Sequence, residues 1–320
     1  NEADLVVTVG ARAVCQWDCS GTAWKKAEHI INFNTDPQHA GHYNRSVPVL
    51  GDAKTNLRTW IDRLKKSGVR QANGSSAWAR AIFGKRAEWE AFKRKRYETP
   101  SLYDEVWRSE VLTQPAAIKA VCDWADGIGA VKLFDAGDVQ ANGFQIVEDA
   151  REGQTFTDTG SSYMGFAVSA VLSAAMADRP FYPVAFSGDG SFTMNPQILV
   201  DAVQHGVRGC VVVFDNRKMA AISGLQNAQY GREYKTDDSV EVDYAAMAGS
   251  VRGVLGIRAG ASIASLLEAL EKARSHEGLS VVHVPVYCGP DELGGMGVFG
   301  DWNVGNWCER VQEEHHRIGL

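Results

Sequence analysis

The sequence predicts an α/β protein in which a doubly wound parallel sheet follows a smaller, partial α/β unit. Three observations carry this. Short apolar runs recur along the 320 residues and end in Gly, Asp or Asn. Segments of roughly 10–15 residues with helical spacing separate them, the alternation that builds right-handed βαβ crossovers. The runs are also continuously apolar, as strands covered on both faces are.

Asp4–Gly10 reads as a buried parallel strand, His29–Phe33 as a second and Val47–Asp52 as a third. Ala53–Leu64 carries Leu57, Trp60, Ile61 and Leu64 on one helical face. Residues 1–64 are therefore expected to be part of a domain, because three strands with little helix leave a parallel sheet uncovered. Turn signals at Lys65–Gly68 and Asn73–Ser76 open a helical connector over 65–111. Its basic stretch from Lys85 to Tyr97 reads as solvated helix, with an anionic partner surface as the alternative.

Residues 112–320 form the second α/β domain with a C-terminal tail. Helices are expected at Gln114–Asp123, Ser161–Ala177, Pro196–His205, from Asp243, and from the cap Ser262 to Arg274. Strands are expected at Ala130–Phe134, Tyr182–Phe186, Cys210–Phe214, Val254–Ile257 and Ser280–Val286. Gly289–Gly300 reads as a mobile loop and a candidate lid, and Trp307–His316 as a last helix.

Composition excludes several classes. Lys plus Arg is 33 against 39 Asp plus Glu, a net charge of −6, which argues against a nucleic-acid binder. No apolar run approaches the ~18 residues of a membrane span, and the first residues lack the pattern of a signal peptide. Six Cys without a CxxC pair read as reduced thiols of a cytoplasmic enzyme, with Cys15 and Cys19 as buried thiols. Gly10-Ala11-Arg12 is no dinucleotide fingerprint. His39 and His42 with Asp36 read as a structural loop rather than a metal site. His205, His283, His315 and His316 read as solvated or core residues.

The chemistry lies in Ser187-Gly188-Asp189-Gly190-Ser191-Phe192 and Asp215-Asn216-Arg217-Lys218. Each follows an expected strand, and ligands of open α/β sheets bind beyond the carboxyl ends of strands. Asp189 and Asn216 should thus be neighbours. A carboxylate and an amide oxygen suit a hard cation such as Mg²⁺, which shares its shell with substrate phosphates. Gly188 and Gly190 let the backbone approach phosphate, and amides after Gly190 and the Ser191 hydroxyl can donate to it.

Gly-Asp-Gly, 24 residues and then Asp-Asn resembles the cofactor signature of the thiamine-diphosphate (ThDP) enzymes, which usually ends in Asn-Asn. The resemblance implies that Asp189 and Asn216 ligate Mg²⁺ through side-chain oxygens and Lys218 through its backbone carbonyl. It implies that Ala136, Gly137 and Asp138 wrap the diphosphate, with Gly188, Gly190 and Ser191 beside it. Met164 would hold the cofactor bent, and the Ser162 carbonyl would accept from its 4′-amino group. Met219, Ala220, Ala221 and Ile222 would close over the pyrimidine and the substrate. Within the family the likeness is strongest to the trihydroxycyclohexane-dione hydrolases, with the acetohydroxyacid synthases as neighbours.

Family members have pyrimidine-binding, middle and diphosphate-binding domains, and this chain resembles half of the second and all of the third. The activating Glu is therefore expected on another chain that carries the pyrimidine-binding domain, in a homo- or hetero-oligomer. The close-packing small residues of Ser161–Ala177 suit such an interface or an ordinary buried helix. The implied reaction cleaves or forms a C–C bond beside the carbonyl of a 2-oxo acid or 1,2-dione through a C2 carbanion and enamine. Hydrolysis of a dione and acyloin-forming carboligation both fit. A non-catalytic regulatory subunit that kept the fold is the alternative from another class.

Overall fold

The computed structural model describes residues 3–11, 24, 26–41, 46–69, 76–158, 162–237 and 240–295. The expectations for Arg12, Cys15, Cys19, His42, Ser161, the 296–300 stretch, Trp307–His316 and the final His pair fall outside these residues. The chain divides into two compact units, with the boundary between Trp89 and Glu90.

In the first unit β1 (Leu5–Val9), β2 (His29–Asn34) and β3 (Ser46–Leu50) pair in parallel in that order. Asp36 caps the single turn α1 (Pro37–Ala40). Asp52 caps α2 (Ala53–Lys66) by accepting from the Thr55 amide at 2.7 Å, and Trp60 of α2 packs on Phe33 of β2 with centroids 5.4 Å apart. The first strand is parallel, but the expectation that it is buried fails: Leu5, Val7 and Val9 are exposed. β1 and β3 are the sheet's edges, and only the central β2 buries most of its side chains.

Helix α3 (Ala77–Glu98) leads into the second unit. Its basic stretch is solvated at Lys85, Arg86, Arg94 and Lys95, but two of its cations are buried. Lys93 is buried between Glu90 and Glu148, and Arg96 bonds the Gln145 side chain and the Glu292 carbonyl. The expected connector also holds an antiparallel hairpin, β4 (Ser101–Asp104) and β5 (Ser109–Leu112). Buried Asp104 organises its turn by accepting from the amides of Val106 and Trp107.

The elements of the sheet domain follow in order: α4 (Gln114–Gly127), β6 (Val131–Phe134), α5 (Asp138–Ile146), β7 (Thr155–Thr157), α6 (Phe166–Ala170), α7 (Ser173–Met176), β8 (Pro183–Gly188), α8 (Asp189–Phe192), α9 (Ile198–Gln204), β9 (Gly209–Asp215), α10 (Ala220–Tyr230), α11 (Tyr244–Gly249), β10 (Leu255–Arg258), α12 (Ile263–Ser275) and β11 (Leu279–Pro285). Six strands pair in parallel in the order β10-β11-β9-β8-β6-β7.

The period of two along each strand divides the core into two layers. Cys210, Val212 and Phe214 pack with Ile118 of α4 and Leu266 and Leu270 of α12. Val211 and Val213 pack with Val168 of α6, Leu199 of α9 and Tyr244 of α11. Helices thus cover both faces, which is the doubly wound arrangement.

Two elements differ from expectation. The helix expected over Ser161–Ala177 is two short helices that begin only at Phe166, because Gly165 stands at a left-handed φ of +94° and ends the preceding turn. α5 was not expected; its Asn142 and Gly143 are weak helix formers. Gly143 is needed there, since a Cβ would lie 2.5 Å from the Phe134 ring. The expected mobile loop is packed where it is described: Leu293 and Gly294 are buried. Cys122, Cys210 and Cys288 are buried free thiols. Among the described residues no helix is long and apolar enough to cross a membrane.

Candidate functional site

The sheet order places the site. After β6 the chain runs outward to β7, then returns to the other side of β6 as β8. The strand order reverses between β6 and β8, and the crevice outside such a switch point is where open α/β sheets bind ligands. The residues leaving β6, β8 and β9 are Asp135–Asp138, Asp189–Ser191 and Asn216–Lys218.

A cleft of about 180 Å³ lies at these tips. It gathers Ala136, Gly137 and Asp138 from the first tip, Gly188, Asp189, Gly190 and Ser191 from the second, and Lys218 from the third. Met164 and the start of α10, Met219, Ala220, Ala221 and Ile222, complete its wall. Ser162 and Asn216 stand off the wall: the Ser162 hydroxyl is 3.5 Å from Gln140 Oε1, and Asn216 lies behind Asp138.

Each functional side chain is held by local bonds. Gly188 pairs with Phe214 across β8 and β9, so the residues that follow, Asp189 and Asp215, lie side by side. The third tip is two successive Asx turns: Asp215 Oδ1 accepts from the Arg217 amide at 3.0 Å and Asn216 Oδ1 from the Lys218 amide at 3.1 Å. Asn216 Nδ2 donates to Asp138 Oδ2 at 2.9 Å, which fixes the orientation of the carboxamide. The Lys218 ammonium bonds Glu233 at 2.7 Å and Asp237 at 3.4 Å, and the Met219 amide bonds the Thr236 carbonyl. The segment after Lys218 is thereby folded back beside the cleft.

A Cβ at Gly190 would lie 3.0 Å from Met219 Sδ and 3.2 Å from Met164 Cε, so the two flexible methionine ends meet over a position with no side chain.

The electrostatics are those of a site short of positive charge. Burial pushes the Asp189 carboxyl up to about 8, and the neighbouring Asp215 and Asp138 push the same way. Burial also raises Asp135 and Asp138. Among the described residues no group of three or more His, Cys, Asp or Glu is arranged as a metal cluster. The candidate set is instead one carboxylate, one amide and one backbone carbonyl, all oxygen donors. Such a set fits a hard divalent cation that keeps positions for phosphate and water. Asn216 Oδ1 has a second lone pair to offer, and a cation beside Asp189 would supply the charge that its buried carboxylate lacks.

Two residues whose roles the sequence leaves unassigned, His283 and Asp135, lie behind the wall. His283, buried in β11, has Nε2 2.8 Å from Asp215 Oδ2 and Nδ1 3.9 Å from Asp243 Oδ1. A histidine inside Val-Val-His-Val was the available signal, since a buried polar ring needs a partner. Asp135 bonds three segments of the site and is taken up below. His205, by contrast, is exposed.

Residues 135–284 match the family described as thiamine pyrophosphate enzyme, C-terminal TPP binding domain. The chain is 26% identical over 321 residues to a 3D-(3,5/4)-trihydroxycyclohexane-1,2-dione hydrolase of Listeria monocytogenes serotype 4b, covering 95% of this chain and 49% of that protein. A protein of the same name from Shouchella clausii is 28% identical over 331 residues, covering 95% and 50%. An acetolactate synthase large subunit of Haemophilus influenzae is 24% identical over 260 residues, covering 81% and 43%. The chain spans about half the length of these curated relatives.

Proposed function

From the premise that residues 135–284 belong to the thiamine pyrophosphate enzyme family as its C-terminal TPP-binding domain, we propose that this chain is the diphosphate-holding half of an enzyme acting on a C–C bond beside a carbonyl. The observation that carries the proposal is the cleft at the β6/β8 switch point, where an oxygen donor set, a glycine cradle and two methionines meet.

Asp189, Asn216 and the Lys218 carbonyl hold Mg²⁺, and the amides of the Gly137 and Gly190 turns receive the diphosphate. Met164 and Met219, converging over Gly190, support the cofactor's rings. The Ser162 carbonyl serves as acceptor for an amino group. When bound, ThDP supplies a carbanion for attack on a carbonyl and an electron sink for the broken bond. The chain's own residues bind and orient it, and the folded-back segment after Met219 excludes water.

Among the described residues no Glu lines the cleft. We therefore assign the activating Glu to a pyrimidine-binding half outside these 320 residues, on a second polypeptide or another stretch of the same protein. The doubled length of the relatives supports this. Similarity to proteins named as dione hydrolases over nearly the whole chain favours a 1,2-dione or 2-oxo acid substrate. The likeness to an acetolactate synthase subunit supports carboligation as the second reading.

Calorimetry of the chain with its pyrimidine-binding half tests the proposal. ThDP is expected to bind with Mg²⁺ and to stop binding in excess chelator. No heat at ~1 mM ThDP, about −4 kcal/mol as a limit on affinity, refutes it. Assays with a cyclic dione and with paired 2-oxo acids then separate hydrolysis from carboligation. Gly190→Ala is expected to weaken ThDP binding about tenfold, ~1.4 kcal/mol. Its thermal midpoint should stay within a few degrees, because the added methyl meets only the flexible ends of two methionines. Wild-type affinity in this variant would remove Gly190 from the cradle.

A further inference from the structure

We propose that Asp135 is the positioning residue of this site, a buried carboxylate that ties the turn presenting Met164 to the tips of β6 and β8. The inference rests on the cofactor reading above and extends it to a residue that does not line the cleft.

Asp135 directly follows β6 and is fully buried. Its Oδ1 accepts from the Gly165 amide at 2.8 Å and the Ala136 amide at 3.1 Å. Its Oδ2 accepts from the Ser187 hydroxyl at 2.8 Å. The three donors belong to three segments, and each segment gives the cleft a wall residue: Ala136 from the first, Met164 from the second, Gly188 from the third. One side chain thus bonds every part of the wall except the β9 tip and α10.

All three partners are donors, and an ionised carboxylate is acceptor-only, with lone pairs enough for all of them. An asparagine could keep both amides on its Oδ1 and turn its NH₂ to Ser187 Oγ, whose own proton has the Gly188 carbonyl 3.2 Å away. An alanine offers no acceptor and leaves buried donors unmatched.

The turn needs such a tie. Gly165 at φ +94° separates the irregular turn that holds Met164 from α6 after it. On the other side of Met164, the Tyr163 amide bonds Asp158 Oδ2 at 3.0 Å in an exposed contact. Met164 is therefore bracketed by two carboxylates, one in solvent and one sealed in the core. Its Cε lies against Gly190, so an error of about 1 Å at the turn moves the thioether across the cofactor's position.

Amide hydrogen exchange on the cofactor-free chain tests the tie directly. In the wild type the Gly165 amide is expected to be protected although it precedes α6. An unprotected Gly165 overturns the proposal even if every variant fails to fold. In Asp135→Ala, exchange across 163–168 should rise at least about tenfold while Val184–Phe186 and Val211–Val213 stay unchanged. Unchanged exchange at Gly165, or an equal rise everywhere, overturns it. Ser187→Ala leaves the Gly165 bond in place and should change that exchange less than about threefold; a rise equal to that of Asp135→Ala assigns the tie to Ser187 and overturns the proposal.

ThDP affinity in the assembled protein supplies the second readout. If Asp135 acts through Met164, Asp135→Ala with Met164→Ala binds within about twofold of the weaker single variant, whereas multiplied losses overturn the proposal. Should the wild type bind no ThDP, the cofactor reading has failed, and the exchange experiment still decides whether Asp135 holds the turn.

Discussion

Asp189→Asn is expected to weaken Mg²⁺-dependent binding of thiamine diphosphate by at least about 100-fold, ~2.7 kcal/mol, and to raise the thermal midpoint of the metal-free protein by a few degrees. Both effects have one cause. On the proposed reading the buried carboxylate beside Asp215 holds the cation, and without a cation it is a burden. Its carboxyl is pushed from 3.8 up to about 8, first by burial and then by Asp215. Between those values the folded chain keeps a proton at Asp189 that the unfolded chain has released. The resulting contribution to stability is complete below about pH 4 and is lost as pH rises through about 8.

The metal-free wild type should therefore lose stability at this site from about pH 5 to 8, and Asp189→Asn should flatten that slope. Cation binding requires the carboxylate form, so Mg²⁺ should release a proton and bind more tightly as pH approaches about 8. Thermal melts across this range with and without chelator, together with a magnesium titration of each variant, check the pair of effects. Wild-type magnesium affinity in the variant, or a persistent slope, would falsify the role given to Asp189.

His283→Leu is expected to cost about 3–5 kcal/mol of stability, because it leaves the buried Asp215 carboxylate without its ring donor. For a unit of this size that corresponds to roughly 6–20 °C in thermal midpoint. Asp215 Oδ1 would retain the Arg217 amide, but Oδ2 would lose the ring nitrogen that now lies 2.8 Å away. The double variant His283→Leu with Asp215→Asn should recover more than half of the loss, since no charge is then left buried. Chemical unfolding of the two variants decides it. A double variant as unstable as the single one would show that His283 matters through packing against Tyr244, whose ring lies edge-on at 5.2 Å, rather than through Asp215. Asp215 stands where the ThDP signature usually has its first Asn. The structure gives the exchange a physical context in a histidine reaching it from the neighbouring strand.

The fold was legible where burial is two-sided. Cys210–Phe214 and Ser280–Val286 read directly as strands because their apolar side chains enter the core on both faces of the sheet. It was least legible at edges and turns. The run at Leu5–Val9 has the same composition as a central strand, yet it lies at the rim of a three-stranded sheet. The hairpin around Asp104 depends on a carboxylate that also accepts from the Cys288 amide, a contact between residues 184 apart. The helical spacing of Ser161–Ala177 hid a break set by one left-handed glycine and a distant acceptor, Asp135.

For the site, spacing alone was enough to put Asp189 and Asn216 at adjacent strand ends, because a parallel crossover has few ways to run. The sequence by itself thus determined the fold class, the oxygen chemistry of the strand tips and the place of glycine among them, all properties of local pattern. Only the tertiary structure decided that Asp138 orients Asn216, that His283 answers Asp215, and that Asp135 bonds three segments at once. Those are pairings between groups 30 to 78 residues apart, each involving a side-chain carboxylate. Their energies come from burial and from the donors each buried oxygen meets, and neither exists until the sheet has closed around them.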